Sequence, residues 1–99
     1  MSWYRVAYLP PVIDDLRATD KGIAQRLFDK TKWLASNAEN LRHEPLDQDL
    51  PGLAQYAVGD WLILYTIDRE EHVVDIHRIG TRGDLYRSHS TQKNMSWPE

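Results

Sequence analysis

The spacing of apolar residues changes period twice along this chain, and the changes divide it into elements. Trp3-Tyr4-Arg5-Val6-Ala7-Tyr8 is rich in aromatic and β-branched residues and stops at Pro10-Pro11, which predicts an opening strand. The prolines then fix φ at a helix start, with Asp14 and Asp15 expected in the first turn, where they would complement the helix dipole. Leu9, Val12, Ile13 and Leu16 recur at helical spacing and predict a short helix through about Arg17. Thr19 or Asp20 can cap a second, longer helix. Its apolar stripe runs through Ile23, Leu27, Thr31, Leu34 and Ala38, widened by Ala24, Phe28 and Ala35, with Lys21, Arg26, Lys30 and Lys32 mostly off it.

Asn37 to Gly52 reads as a connection, tacked to the core by Leu41, Leu46, Leu50 and Leu53. The period then falls to two. Ala54 to Val58 and Trp61 to Ile67 flank Gly59-Asp60, a hairpin signal. Trp61-Leu62-Ile63-Leu64-Tyr65 is apolar on both faces, as a central strand covered on both sides should be. Asp68 to Glu71 makes a turn, and His72 to Ile79 the next strand. The expected fold is α+β: an N-terminal strand, two helices, then antiparallel strands forming one sheet with both helices on one face. Residues 1–90 would form the domain and 91–99 a polar tail.

A length of 99 residues suits one domain with a modest core. Hydrophobic and charged shares of 41% and 27% are those of an ordinary soluble globular protein. With no cysteine, disulfides and thiolate zinc sites are excluded, which fits a reducing cytoplasm. Neither a signal peptide nor a run long and apolar enough to span a membrane is seen, so a cytoplasmic protein is expected. A net charge of −3 argues against non-specific coating of nucleic acid. Basicity is instead local. Between Ile76 and Ser90 lie His77, Arg78, Arg82, Tyr86, Arg87 and His89, opposed only by Asp84. Cations, imidazoles and a phenol at one strand end suit a polyanion contact or proton transfer at a phosphate.

The order and wording of these pieces resemble the RelE/ParE superfamily of toxins from bacterial type II toxin–antitoxin pairs, in its RelE-like branch. The resemblance rests on Val12, Asp15 and Leu16 after the Pro-Pro, and on the helix word Phe28 to Ala35. It continues through Glu44 to Leu53, through Val58-Gly59-Asp60-Trp61 with Tyr65, and through His77-Arg78-Ile79-Gly80 followed by Arg82, Asp84 and Tyr86. It implies the compact RelE fold and two activities to choose between. RelE-like members cleave mRNA in the ribosomal A site by attack of a ribose 2′-OH on the adjacent phosphate, without metal. ParE-like members poison DNA gyrase and have no nuclease site. A third possibility is a member whose work is complex formation with an antitoxin and operator autoregulation.

Carried over by position, the resemblance makes Arg82 the phosphate-stabilising arginine and Tyr86 the tyrosine that stacks on a base or assists proton transfer, with His77 and Arg78 beside them. The expectation is a ribosome-dependent endoribonuclease, a hydrolase that arrests growth by blocking translation, using catalytic Arg82, Tyr86, Arg78 and His77. The chain also departs from the pattern. Three hairpin cations typical of active members are here Gln55, Ala57 and Leu62, and a histidine often found before the key arginine is Thr81. Losing one charge-stabilising donor commonly costs roughly 10²- to 10³-fold in rate, so weakened or absent catalysis is expected. Plainer roles compete: Arg78 could pair with Asp75, His77 could be a satisfied histidine, and Arg87 and His89 could be solvated tail residues. His43 with Glu44 is a further candidate acid–base pair. Trp33 and Trp61 are expected in core or interface, and Trp97 in the tail. No cofactor is expected, and the histidines lack paired ligand spacing for a metal. The implied partners are a cognate antitoxin, in a hetero-oligomer whose contact is mostly apolar with charge pairing at Arg78, Arg82 and Arg87, and, if active, the ribosome and mRNA. No membrane partner is implied.

Overall fold

The computed structural model describes residues 4–45 and 52–85. Their order is β1 (Arg5–Tyr8), α1 (Pro10–Arg17), α2 (Lys21–Ser36), β2 (Glu44–Pro45), β3 (Ala54–Val58), β4 (Trp61–Asp68) and β5 (Val73–Thr81). The strands form one sheet in the order β1-β5-β4-β3-β2. β1 runs parallel to β5, an arrangement that needs a long crossover, and every other pairing is antiparallel. Trp3, Leu46, Leu50, Tyr86, Arg87, His89 and Trp97, singled out above, lie outside the described residues.

α1 begins at Pro10, directly after Leu9, with proline at its first two positions. Starting there, it reaches Asp14 and Asp15 only after its first turn has closed, so the expected dipole role is not realised. Val12 is fully buried, whereas Ile13, counted above in the apolar stripe, is 44% exposed. Asp20 caps α2 by accepting from the Gly22 amide at 3.1 Å, while the Thr19 hydroxyl donates back to the Asp15 carbonyl. Leu27, Thr31, Leu34 and Ala35 of α2, and Ala38 just beyond it, are buried, as the stripe predicts. Thr31 gives its only proton to the Phe28 carbonyl, so the Tyr8 hydroxyl donates to Thr31 Oγ1 at 2.6 Å and ties β1 to α2.

Both helices lie on one face of the sheet, where Val12, Leu27, Leu34 and Ala35 meet Ile63, Tyr65, Val74, Ile76 and Ile79. The opposite face is closed by a smaller cluster, Leu53, Leu62, Leu64 and Leu85. β4 is therefore buried on both sides, as its unbroken apolar run requires. Val58 pairs with Trp61 across a two-residue turn, with Gly59 at φ +60°, the left-handed value that a primed hairpin turn demands of its first central residue. β2 was not expected; its two residues pair with β3 inside the connection and put Pro45 on an edge strand, where its missing N–H is harmless.

β5 carries one extra residue. Tyr65 stands opposite Ile76 and Leu64 opposite Arg78, so His77 is a bulge. Helix-facing positions on β5 are accordingly Val74, Ile76 and Ile79, and Asp75, His77, Arg78 and Gly80 fall to the other face. Among the described residues no helix is long and apolar enough to cross a membrane.

Candidate functional site

The conspicuous basic segment begins at the bulge, and its members have separate surroundings. β1 covers β5 only as far as Ile76; beyond that point α1 lies along the open edge. Asp15 of α1 completes that edge: its Oδ2 accepts from the Ile79 amide at 3.0 Å, as a neighbouring strand's carbonyl would. The same carboxylate takes the Arg78 guanidinium side-on, with Nε to Oδ2 at 2.9 Å and Nη2 to Oδ1 at 3.0 Å. That contact raises the already high Arg78 pKa, against a smaller opposing effect of burial. Arg78 is thus a held cation whose partner is Asp15, not Asp75. Asp15 is the functional neighbour that sequence reasoning missed, since residues 63 positions apart carry no spacing signal.

His77 donates to or accepts from the Thr66 hydroxyl through Nε2 at 2.9 Å, and its Nδ1 is buried without a partner. Burial pushes the imidazole pKa below its ordinary 6.5, with the Asp75 charge opposing more weakly. The ring is anchored to a threonine on a bulge through one nitrogen only, so the satisfied histidine expected above is met at Nε2 and not at Nδ1. Arg82 is exposed and opens a single helical turn over 82–85; its amide donates to the Asp60 carbonyl at 2.8 Å, fastening the turn to the β3–β4 hairpin. Tyr86 follows immediately, outside the described residues. The structure therefore brings Arg82 and the hairpin together, and leaves Arg78 and His77 farther down β5.

Between these positions the sheet face is apolar. Register aligns Ala57, Leu62 and Gly80 in one row and Gln55, Leu64 and Arg78 in the next. Leu62 and Leu64 are fully buried beneath Leu53 and Leu85. Gly80 is what lets Leu85 approach, because a Cβ there would stand 3.1 Å from its Cγ. Burying each of these leucines is worth about 1.5–3 kcal/mol, so the plug is part of the fold. Gln55 Nε2 reaches the Pro45 carbonyl at 3.4 Å while its Oε1 is buried and unpaired. Arg82 is an exposed cation at the end of this face, whereas the Arg78 guanidinium is taken by Asp15 and the His77 ring is held by Thr66.

His43 is a structural tie. The Ala38 carbonyl can only accept, so in the neutral ring Nε2 carries the proton, at 2.7 Å, and Nδ1 accepts from the Tyr65 hydroxyl, also at 2.7 Å. Burial holds the Tyr65 phenol at about 12, well above its ordinary value, so it stays protonated as a donor. Among the described residues no group of three or more His, Asp or Glu side chains could hold a metal ion.

The family described as "ParE toxin of type II toxin-antitoxin system, parDE" matches residues 6–86. No curated protein matches the chain. Among solved structures, the chain is similar to one in the RelBE2 toxin–antitoxin complex from Mycobacterium tuberculosis, at 26% identity and a TM-score of 0.74, covering 85% of this chain and 97% of that one. An arginine-to-alanine double mutant of the E. coli toxin RelE in the free state gives 11% identity and a TM-score of 0.70, over 95% of this chain and 100% of that one. The E. coli DinJ–YafQ toxin–antitoxin complex gives 19% and 0.59, over 86% and 99%.

Proposed function

Because the chain belongs to the ParE toxin family, within the RelE/ParE superfamily of type II toxin–antitoxin systems, we propose that it is a toxin that acts by binding a protein target, and that an antitoxin neutralises it. The ParE branch implies DNA gyrase as that target. One observation carries this choice over RNA cleavage: where nuclease members place hairpin cations, this chain buries Leu62 beside Leu64 under Leu53 and Leu85. A phosphorane needs charge stabilisation, and its 2′-OH needs a base; a leucine plug supplies neither. An antitoxin partner is favoured by the likeness to toxins solved in complex with theirs, RelBE2 and DinJ–YafQ.

The test is a supercoiling assay with purified gyrase, run beside primer extension on a reporter mRNA in a translating extract. Inhibited supercoiling with an intact message is the expected result. A second reading, the metal-independent mRNA endoribonuclease, is favoured by the exposed Arg82 and by the likeness to RelE structures. Ribosome-dependent breaks that vanish in Arg82→Ala would establish it and overturn the first. A folded protein that does neither, and fails to arrest growth when induced alone, would leave antitoxin binding and autoregulation as its role.

A further inference from the structure

Three donors of β5 converge on one carboxylate. Arg78 Nε and the Ile79 amide reach Asp15 Oδ2 at 2.9 and 3.0 Å, and Arg78 Nη2 reaches Oδ1 at 3.0 Å. The donors belong to consecutive residues, whereas the acceptor is delivered from α1, 63 and 64 positions away. The bulge at His77 arranges this. By shifting the phase of the strand it turns the Ile79 N–H to the edge that β1 has left, and the guanidinium of the preceding residue reaches the same point. A guanidinium fork beside a backbone amide is the donor set of an oxyanion site. Asp15 is largely withdrawn from water there. It rides on a helix of eight residues, fixed to the sheet through fully buried Val12 and through Leu16. So short a helix does not hold in water without such contacts.

We propose that Arg78 and Ile79 form a latent phosphate-binding nest, which Asp15 closes as a tethered stand-in for the ligand. The nest goes beyond either reading of the target, because Arg82 and the leucine plug, on which those readings turn, take no part in it. The charge pairing expected between Arg78 and a partner is met within the chain while α1 is docked. Phosphate is the ligand for a reason of charge. A free carboxylate offers the fork the same two oxygens and the same single charge as Asp15, without the advantage of a tether. A phosphate group carries about 1.5 to 2 negative charges at neutral pH, and a third oxygen that can stay in water. Two acids oppose it: Asp75, opposite Thr66 on the same sheet, and Asp14, next to Asp15 on α1. They keep the affinity low. With Asp15 docked the nest is shut, and drawing α1 off β5 opens it, so the release of one short helix exposes a cation that the folded protein otherwise holds.

Thermal unfolding of the full chain is followed in sodium chloride and in sodium phosphate of equal ionic strength, for wild type, Asp15→Ala and the double variant D15A/R78M. Emptying the nest in Asp15→Ala should give a dissociation constant for inorganic phosphate on the order of 10 mM. At about 100 mM phosphate that raises Tm by roughly 5–10 °C beyond the rise seen in wild type. D15A/R78M should lose this excess. Arg78 has no partner left once Asp15 is alanine, so its removal there costs little further stability. Acetate, run in parallel, should give a smaller excess than phosphate. Should Asp15→Ala not fold, Asp15→Asn replaces it, because its amide oxygen still accepts from Ile79 and keeps α1 docked. Phosphate should then shift the Arg78 Nε–H resonance in NMR spectra of Asp15→Asn and leave it in place in wild type. An equal phosphate response in wild type and Asp15→Ala, an excess that survives in D15A/R78M, or acetate matching phosphate would overturn the proposal. So would an unmoved Arg78 resonance in Asp15→Asn.

Discussion

Replacing Asp15 with alanine removes three hydrogen bonds at once: two from the Arg78 guanidinium and one from the Ile79 amide. The side chains of Arg78 and Asp15 are 30% and 15% exposed, so their pair sits between the limits for surface and buried ion pairs. About 1–2 kcal/mol is reasonable for it. The Ile79 amide would be left without an acceptor on an edge that α1 covers, which adds about 1–2 kcal/mol. Asp15→Ala should therefore destabilise the fold by about 2–4 kcal/mol, and roughly 2 kcal/mol in a chain this size lowers Tm by about 8–16 °C. Arg78→Ala should cost less, about 1 kcal/mol, because Asp15 still serves Ile79. Urea unfolding followed by tryptophan fluorescence measures both, and the double mutant should show a coupling of about 1 kcal/mol. The reasoning fails if Asp15→Ala costs under about 0.5 kcal/mol, or if Arg78→Ala costs as much as Asp15→Ala.

Three further outcomes can be checked. Gly80→Ala should cost about 1 kcal/mol by pressing a Cβ on Leu85, and should cost nearly nothing in a Leu85→Ala background. Tyr65→Phe should cost about 1–3 kcal/mol, since His43 Nδ1 loses its donor; Tyr65→Phe as stable as wild type in thermal melts would show that the His43 tie is dispensable. His77 has a folded pKa below its unfolded 6.5, so the unfolded chain binds the extra proton first. Its contribution should be complete above about 6.5 and lost as pH falls through the folded value. His77→Gln should flatten that acid limb in unfolding titrations, and an unchanged limb would refute the assignment.

The periodicities in the sequence reveal most of the architecture, because each element buries one stripe or one face. The α2 stripe and the doubly apolar β4 needed no tertiary information. What escaped was set by contacts distant in sequence. Asp15 was read against its own helix, whereas its partners are on β5; Arg78 was matched to nearby Asp75 for the same reason. β2 escaped because two residues, one of them proline, have no period. For the site, the resemblance put Leu62 where a cation was expected, but nothing in the spacing showed that Leu53 and Leu85 close over it, since packing between distant residues leaves no such signal. Arg26 and Lys30 were expected only to lie mostly off the apolar stripe; that the hairpin stands opposite Arg26 and Tyr56 beside Lys30 is set by contacts distant in sequence.

His77 gives β5 two phases. Up to Ile76 the even positions look toward the helices, and from Ile79 the odd ones do. Deleting this single residue would leave Ile76, Arg78 and Ile79 in plain alternation, each on its present face. What would turn the strand over is a regular pairing that kept His77: the Arg78 guanidinium would then point at the space now filled by Ile79, and Ile79 at the leucine plug. Related chains can be aligned through this strand only by anchoring each side of the bulge separately, because a gap moved by one position exchanges the inside of the protein for its outside.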